Sequence, residues 1–166
     1  MMKITHVLIT FALFLTGCIE YKDDPICSEY NYVTLKEVRA SVKVKAPREI
    51  QNAGKIYLYE NLVLVNEPNK GVHLIDNQDK HNPISVAFIE IPGNIDIAVK
   101  NGYLYVDSFV DLLVIDINDL SNIHEISREE DIFTYDRYQA LSEDSFNIEY
   151  ECDYGDEKGF VIGVEK

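Results

Sequence analysis

Positive charge is scarce in this chain. Lys and Arg number 15 against 29 Asp and Glu, giving a formal net charge of -14. A surface this acidic repels the phosphate backbone of nucleic acid and the headgroups of anionic lipid, so neither is expected as a direct partner. Cysteine is sparse: only Cys18, Cys27 and Cys152 occur. None lies in a Cys-x-x-Cys pair or at a Cys/His spacing suited to zinc. Tryptophan is absent, and Tyr, at 11 residues, is the main large aromatic. There is no Gly-x-Ser-x-Gly, which removes the most legible hydrolase signature. Long hydrophobic runs are missing too. The longest, Ile4 to Leu15, is interrupted by Thr5, His6 and Thr10. It falls short of the roughly 20 apolar residues that a helix needs to cross a bilayer.

That short run has the form of a targeting segment. Lys3 supplies a positive start, the apolar stretch follows, and Leu15-Thr16-Gly17-Cys18 ends it. An apolar residue, two small ones and Cys directly after such a run resemble the bacterial lipobox. The resemblance implies cleavage before Cys18, lipid on Cys18, and anchoring through acyl chains rather than a membrane span. Residues 1–17 would be removed, leaving 149 residues, and losing Lys3 would take the charge from -14 to -15. Ile19, rather than Asp, follows the Cys; by analogy with lipoprotein sorting in Gram-negative bacteria this points to the outer membrane, on its periplasmic or surface side. Residues 18–36, rich in Glu20, Lys22, Asp23, Asp24, Pro25, Ser28, Glu29 and Asn31, read as a tether holding the body off the membrane. With Cys18 assigned to lipid, Cys27 and Cys152 remain as a pair able to form a disulfide outside the cytoplasm. Their distance in space is open at this stage.

The central part echoes itself. Gly71-Val72-His73-Leu74-Ile75-Asp76-Asn77 returns forty residues later as Asp111-Leu112-Leu113-Val114-Ile115-Asp116-Ile117. A second Asp follows each copy, Asp79 and Asp119, then an Asn, Asn82 and Asn122. Leu62–Asn66 is matched by Tyr103–Asp107. Short apolar runs separated by polar turns predict strands at 56–60, 62–66, 72–77, 84–91, 95–100, 103–108, 111–117 and 123–128. The pair Asn101-Gly102 predicts a tight hairpin. Several strands per forty-residue period are the pattern of propeller blades. The alternation of Val38 to Lys45, closed by Pro47, predicts one more strand, the last of a preceding blade. The Phe146–Cys152 and Phe160–Val164 alternations predict a terminal hairpin.

The cores Leu62-Val63-Leu64-Val65-Asn66, Leu74-Ile75-Asp76 and Leu112-Leu113-Val114-Ile115-Asp116 resemble the LVIVD repeat of bacterial surface or secreted proteins. The turn Asp76-Asn77-Gln78-Asp79-Lys80-His81-Asn82-Pro83 fits the same pattern, and in the second copy Ile123 stands where Pro would be. Together with the lipobox, the chain is similar to LVIVD-repeat lipoproteins. This implies an all-β fold of propeller-like, four-stranded antiparallel blades; it implies no catalytic residue. The expected organisation is a leader at 1–17, a tether at 18–36, LVIVD-like repeats at 37–132, and a polar loop with a terminal β-hairpin at 133–166. Two blades plus edge strands give an incomplete ring, because a closed propeller has about four to eight.

Candidate chemistry is thin. Asp116-Ile117-Asn118-Asp119 begins like a calcium loop, but Leu120 and Ser121 occupy the positions where a ligand and Gly are needed. The Asp and Asn residues read as turn formers. His73, His81 and His124 read as scattered strand and loop residues. Tyr57, Tyr59, Tyr103 and Tyr105 are expected to pack between blades. No cofactor or metal is expected. The functional expectation is a non-catalytic binding or scaffolding module on the envelope, with a protein or glycan partner, or self-association through open blade edges. The alternatives are a glycan-acting hydrolase or lyase with a loop-built site, and a truncated, non-functional remnant of a longer propeller protein.

Overall fold

The computed structural model describes residues 30–140 and 159–164. Twelve elements follow in order: β1 (Tyr30–Thr34), α1 (Leu35–Ser41), β2 (Lys43–Lys45), β3 (Ile56–Tyr59), β4 (Leu62–Glu67), β5 (Gly71–Asp76), β6 (Ile84–Glu90), β7 (Ile97–Lys100), β8 (Tyr103–Ser108), β9 (Asp111–Asp116), β10 (His124–Glu129) and β11 (Gly159–Val164). The fold is all-β apart from one short helix. Strands β2-β6-β5-β4-β3 form one antiparallel sheet, blade 1, and β10-β9-β8-β7 form a second, blade 2. A two-stranded ribbon, β1-β11, completes the described chain. Among the described residues no barrel closes, and the architecture is that of incomplete blades, as the repeats predict.

The two blades are copies in register. Blade 1 carries the cross-strand row Leu58–Val63–Ile75, and blade 2 carries Val99–Leu104–Ile115 at the same positions. The row Tyr57–Leu64–Leu74–Ala87 corresponds to Ala98–Tyr105–Val114–Ser127. Each last strand skips one residue in pairing, Val86 in β6 and Ile126 in β10, so even the β-bulge repeats. The hairpin turns are also equivalent: Glu60 and Asn101 both sit at φ 53°. At the second turn position blade 2 has Gly102, whose φ of 76° and contact with the Asn118 side chain leave no room for a Cβ.

Period-two alternation decides which residues meet. Blade 1 turns Tyr57, Tyr59, Leu62, Leu64, Leu74, Ala87 and Ile89 inward, while blade 2 turns Ile97, Val99, Leu104, Val106, Leu113 and Ile115 toward them, making one core. Leu64, Leu74, Leu104 and Leu113 are fully buried in it. The contacting positions are not equivalent in the repeat. Blade 1 uses one face and blade 2 the opposite one, so the stacking is head-to-tail.

Three features depart from expectation. Residues 30–36 are not tether but strand and helix. The first half of the expected strand at 38–45 is helical. Thr34 is the physical reason: its Oγ1 accepts from the Glu37 backbone N–H while the Glu37 carboxylate accepts from the Thr34 backbone N–H at 2.9 Å, a capping box that starts a helix despite the alternating sequence. The remaining strand, β2, does not finish a preceding blade. It pairs antiparallel with β6, Lys43 opposite Glu90 and Lys45 opposite Phe88, and becomes the fifth strand of blade 1. The edge of β6 presents an unpaired ladder, and β2 takes it. Finally, β11 forms where a strand is expected, and its partner is β1. Its expected hairpin mate, Phe146–Cys152, lies outside the described residues, as do Cys18, Cys27, Cys152, the leader and residues 18–29.

Elements from both ends cap blade 2. Phe109 and Val110, the tip of the β8–β9 hairpin, enter a second core with Leu35, Val38 and Phe160. The Phe109 and Phe160 rings stack with centroids 3.7 Å apart. Phe109 holds φ 54°, a region that bulky residues avoid, and its burial in this aromatic stack compensates.

Candidate functional site

Ionisable groups gather at the β4–β5 and β8–β9 turns, the same end of each blade. In blade 1, Glu67 closes β4 and is fully buried. Its Oε2 lies 2.9 Å from His73 Nε2 and 3.0 Å from Arg48 Nη2, and Lys70 Nζ lies 3.2 Å from Oε1. Burial pushes the Glu67 carboxyl up, but His73, Lys70 and Arg48 outweigh it and hold it at about 2. The Arg48 guanidinium also sits 4.0 Å above the Phe88 ring. Arg48 therefore fastens the segment after β2 across the outer face of blade 1. Beside the cluster is a cleft of about 510 Å³ lined by Lys45, Arg48, Asn69, Lys70, Phe88 and Ile162, among others.

Blade 2 has a parallel arrangement built from different residues. Asp111, fully buried at the start of β9, takes both a bidentate pair from Arg39 at 2.8 Å and a contact from Arg128 at 3.0 Å. The Asp131 backbone N–H donates to it as well, at 3.0 Å. Burial raises the Asp111 carboxyl, and Arg39, the Asp131 N–H and Arg128 pull it below its ordinary value. This cluster ties α1 to the hairpin tip, as Glu67 ties the segment around Arg48 to blade 1. Both carboxylates act as staples for a flanking segment.

A third buried network joins the blades. Asn66 Nδ2 donates to Asn94 Oδ1 at 2.8 Å, and Asn94 Nδ2 donates to Asp107 Oδ1 at 2.8 Å. Asn66 and Asp107 are the matched residues of the repeat, and each receives the chain entering its own blade. Asn66 Oδ1 accepts from Lys55 N at 3.1 Å, and Asp107 Oδ1 accepts from Ile95 N and Asp96 N at 2.9 and 2.8 Å.

The turn residues singled out from the sequence do local work. Asp76 accepts from Gln78 N, Asp79 from His81 N, Asp116 from Asn118 N and Asp119 from Ser121 N, each two residues on. Among the described residues no group of three or more His, Cys, Asp or Glu is placed to hold a metal ion. His73 joins Glu67; His81 and His124 are exposed at the far turns. The four tyrosines divide. Tyr57 and Tyr59 pack against the inter-blade core, and Tyr57 Oη donates to the Val99 carbonyl at 3.4 Å. Tyr103 and Tyr105 point to the other side of blade 2, half-buried. The repeat alignment accounts for this split, since Leu62 and Leu64 match Tyr103 and Tyr105. The Glu67 and Asp111 staples were not legible from the repeat, because Arg48 and Arg39 come from segments outside it.

Compared with family models, with curated proteins and with solved structures, the chain matches none of them.

Proposed function

We propose that this is a lipid-anchored envelope lipoprotein with LVIVD-like repeats, acting as a non-catalytic binding or scaffolding module. The observation that carries it is Leu15-Thr16-Gly17-Cys18 directly after an apolar run. Among the described residues, no helix is long and apolar enough to cross a membrane. The non-catalytic part is supported by the deployment of the ionisable groups. A general acid needs a carboxyl raised toward neutrality, whereas Glu67 and Asp111 are both held low and tied to cations. The exposed loops at the blade ends, 78–83 and 118–122, are left as the surfaces for a protein or glycan partner.

Expression of the full chain in a Gram-negative host with labelled palmitate tests the anchor. Wild-type protein is expected to take up label and fractionate with outer membrane, and Cys18→Ala to lose both. Unlabelled wild-type protein would overturn the anchor. Turnover of envelope polysaccharide by the purified protein would overturn the non-catalytic reading.

A further inference from the structure

The outward face of blade 1 lacks the neighbour that its equivalent has. Ile97 and Val99 in blade 2 are 6% and 7% exposed, covered by blade 1. Their counterparts in the repeat, Ile56 and Leu58, are 68% and 65% exposed. Val63 and Ile75, matched to the buried Leu104 and Ile115, are only half-covered beside them, and Ile50 is exposed at 40%. Ile56, Leu58, Val63 and Ile75 thus form an apolar patch on neighbouring strands, with Ile50 also exposed.

What such a face takes is visible inside the molecule. Blade 2 presents this kind of face to blade 1 and receives Tyr57, Leu64, Leu74 and Ala87. The same positions on the far side of blade 2 are Ala98, Tyr105, Val114 and Ser127. Ala98 and Ser127 are exposed; Tyr105 and Val114 are half-buried. One molecule therefore carries both halves of a blade–blade contact, on opposite sides.

We propose that the outward face of blade 1 docks the far face of blade 2 of a second copy of this chain, continuing the head-to-tail stack. Such a contact is heterologous: it uses two different surfaces and turns each copy in the same sense. Two to four copies would supply the roughly four to eight blades of a ring. The contact does not depend on how the protein is anchored or what its loops bind.

Two exposed positions allow a complementation test on the full chain in detergent, read as protein mass by sedimentation. Wild type is expected to gain mass with concentration, to two or more chains. Leu58→Asp spoils one surface and Ala98→Asp the other, so each alone is expected at the mass of one chain. Mixed in equal amounts they are expected to associate again, because each variant keeps the surface the other has lost. Circular dichroism matching wild type shows that both variants are folded. Wild type remaining one chain at every concentration would overturn the proposal. So would Ala98→Asp that still associates, which would indicate a symmetric pairing of blade 1 faces, and so would a mixture that fails to associate.

Discussion

Glu67 is a fully buried carboxylate faced by His73, Arg48 and Lys70. Its carboxyl ordinarily titrates at 4.5 and is held at about 2 in the fold. A depressed acid stabilises the native state above its unfolded pKa and loses that contribution as pH falls through the folded value. Stability is therefore expected to fall between pH 4.5 and about 2, by on the order of 3 kcal/mol from this group, with Asp111 adding in the same direction. Denaturant unfolding as a function of pH measures the slope. Glu67→Gln should flatten it and cost about 1–3 kcal/mol at neutral pH, since Arg48 and Lys70 lose a counter-charge but remain partly open to solvent. An unchanged acid limb would contradict the assignment. At the same scale, Asn94→Ala removes the bridge between Asn66 and Asp107 and should cost about 1–3 kcal/mol. Neither residue stands out in the sequence. Glu67 reads as the first residue of a turn, and its partner Arg48 lies 19 positions away in an irregular segment.

At the scale of elements, the strands of the repeats and β11 were legible, while β1 and α1 were not. Alternation over four to seven residues, bounded by Gly, Pro and Asn, leaves little choice but strand, and every strand from β3 to β10 forms within two residues of its expected bounds. Val38–Ser41, the start of the Val38–Lys45 alternation, is helical because of a cap set at Thr34, one residue before the helix Leu35–Ser41. A seven-residue helix has too few turns to show a clear period, so its signals were the capping box Thr34-x-x-Glu37 and the i,i+3 pair Leu35 and Val38. Thr34→Ala should cost about 0.5–2 kcal/mol and loosen the cap over Phe109 and Phe160, measured by unfolding and by faster amide exchange in α1. In the blade 2 hairpin, Gly102→Ala should cost more than about 1 kcal/mol, since its φ of 76° disfavours any side chain and Asn118 fills the space.

At the scale of the whole molecule, the forty-residue echo reported the number of blades and their register, but not what lies against each face. That depends on stacking sense. The repeat places the same positions on both blades, and head-to-tail packing buries one copy and exposes the other. Leu58 and Val99 are such a pair, separated by 41 positions in sequence and by the whole difference between 65% and 7% exposure. The staples at Glu67 and Asp111 then tie the non-repeating segments onto this two-blade body.

Introducing Asp at those two matched positions tests the arrangement most directly. Unfolding is measured in denaturant at low protein concentration, where contacts between copies do not contribute. Val99→Asp should lose several kcal/mol or fail to fold, because a carboxylate would enter the inter-blade core without a partner. Leu58→Asp should stay within about 0.5 kcal/mol of wild type, as surface substitutions do. Equal losses at the two positions, or a larger loss at Leu58, would contradict head-to-tail blades.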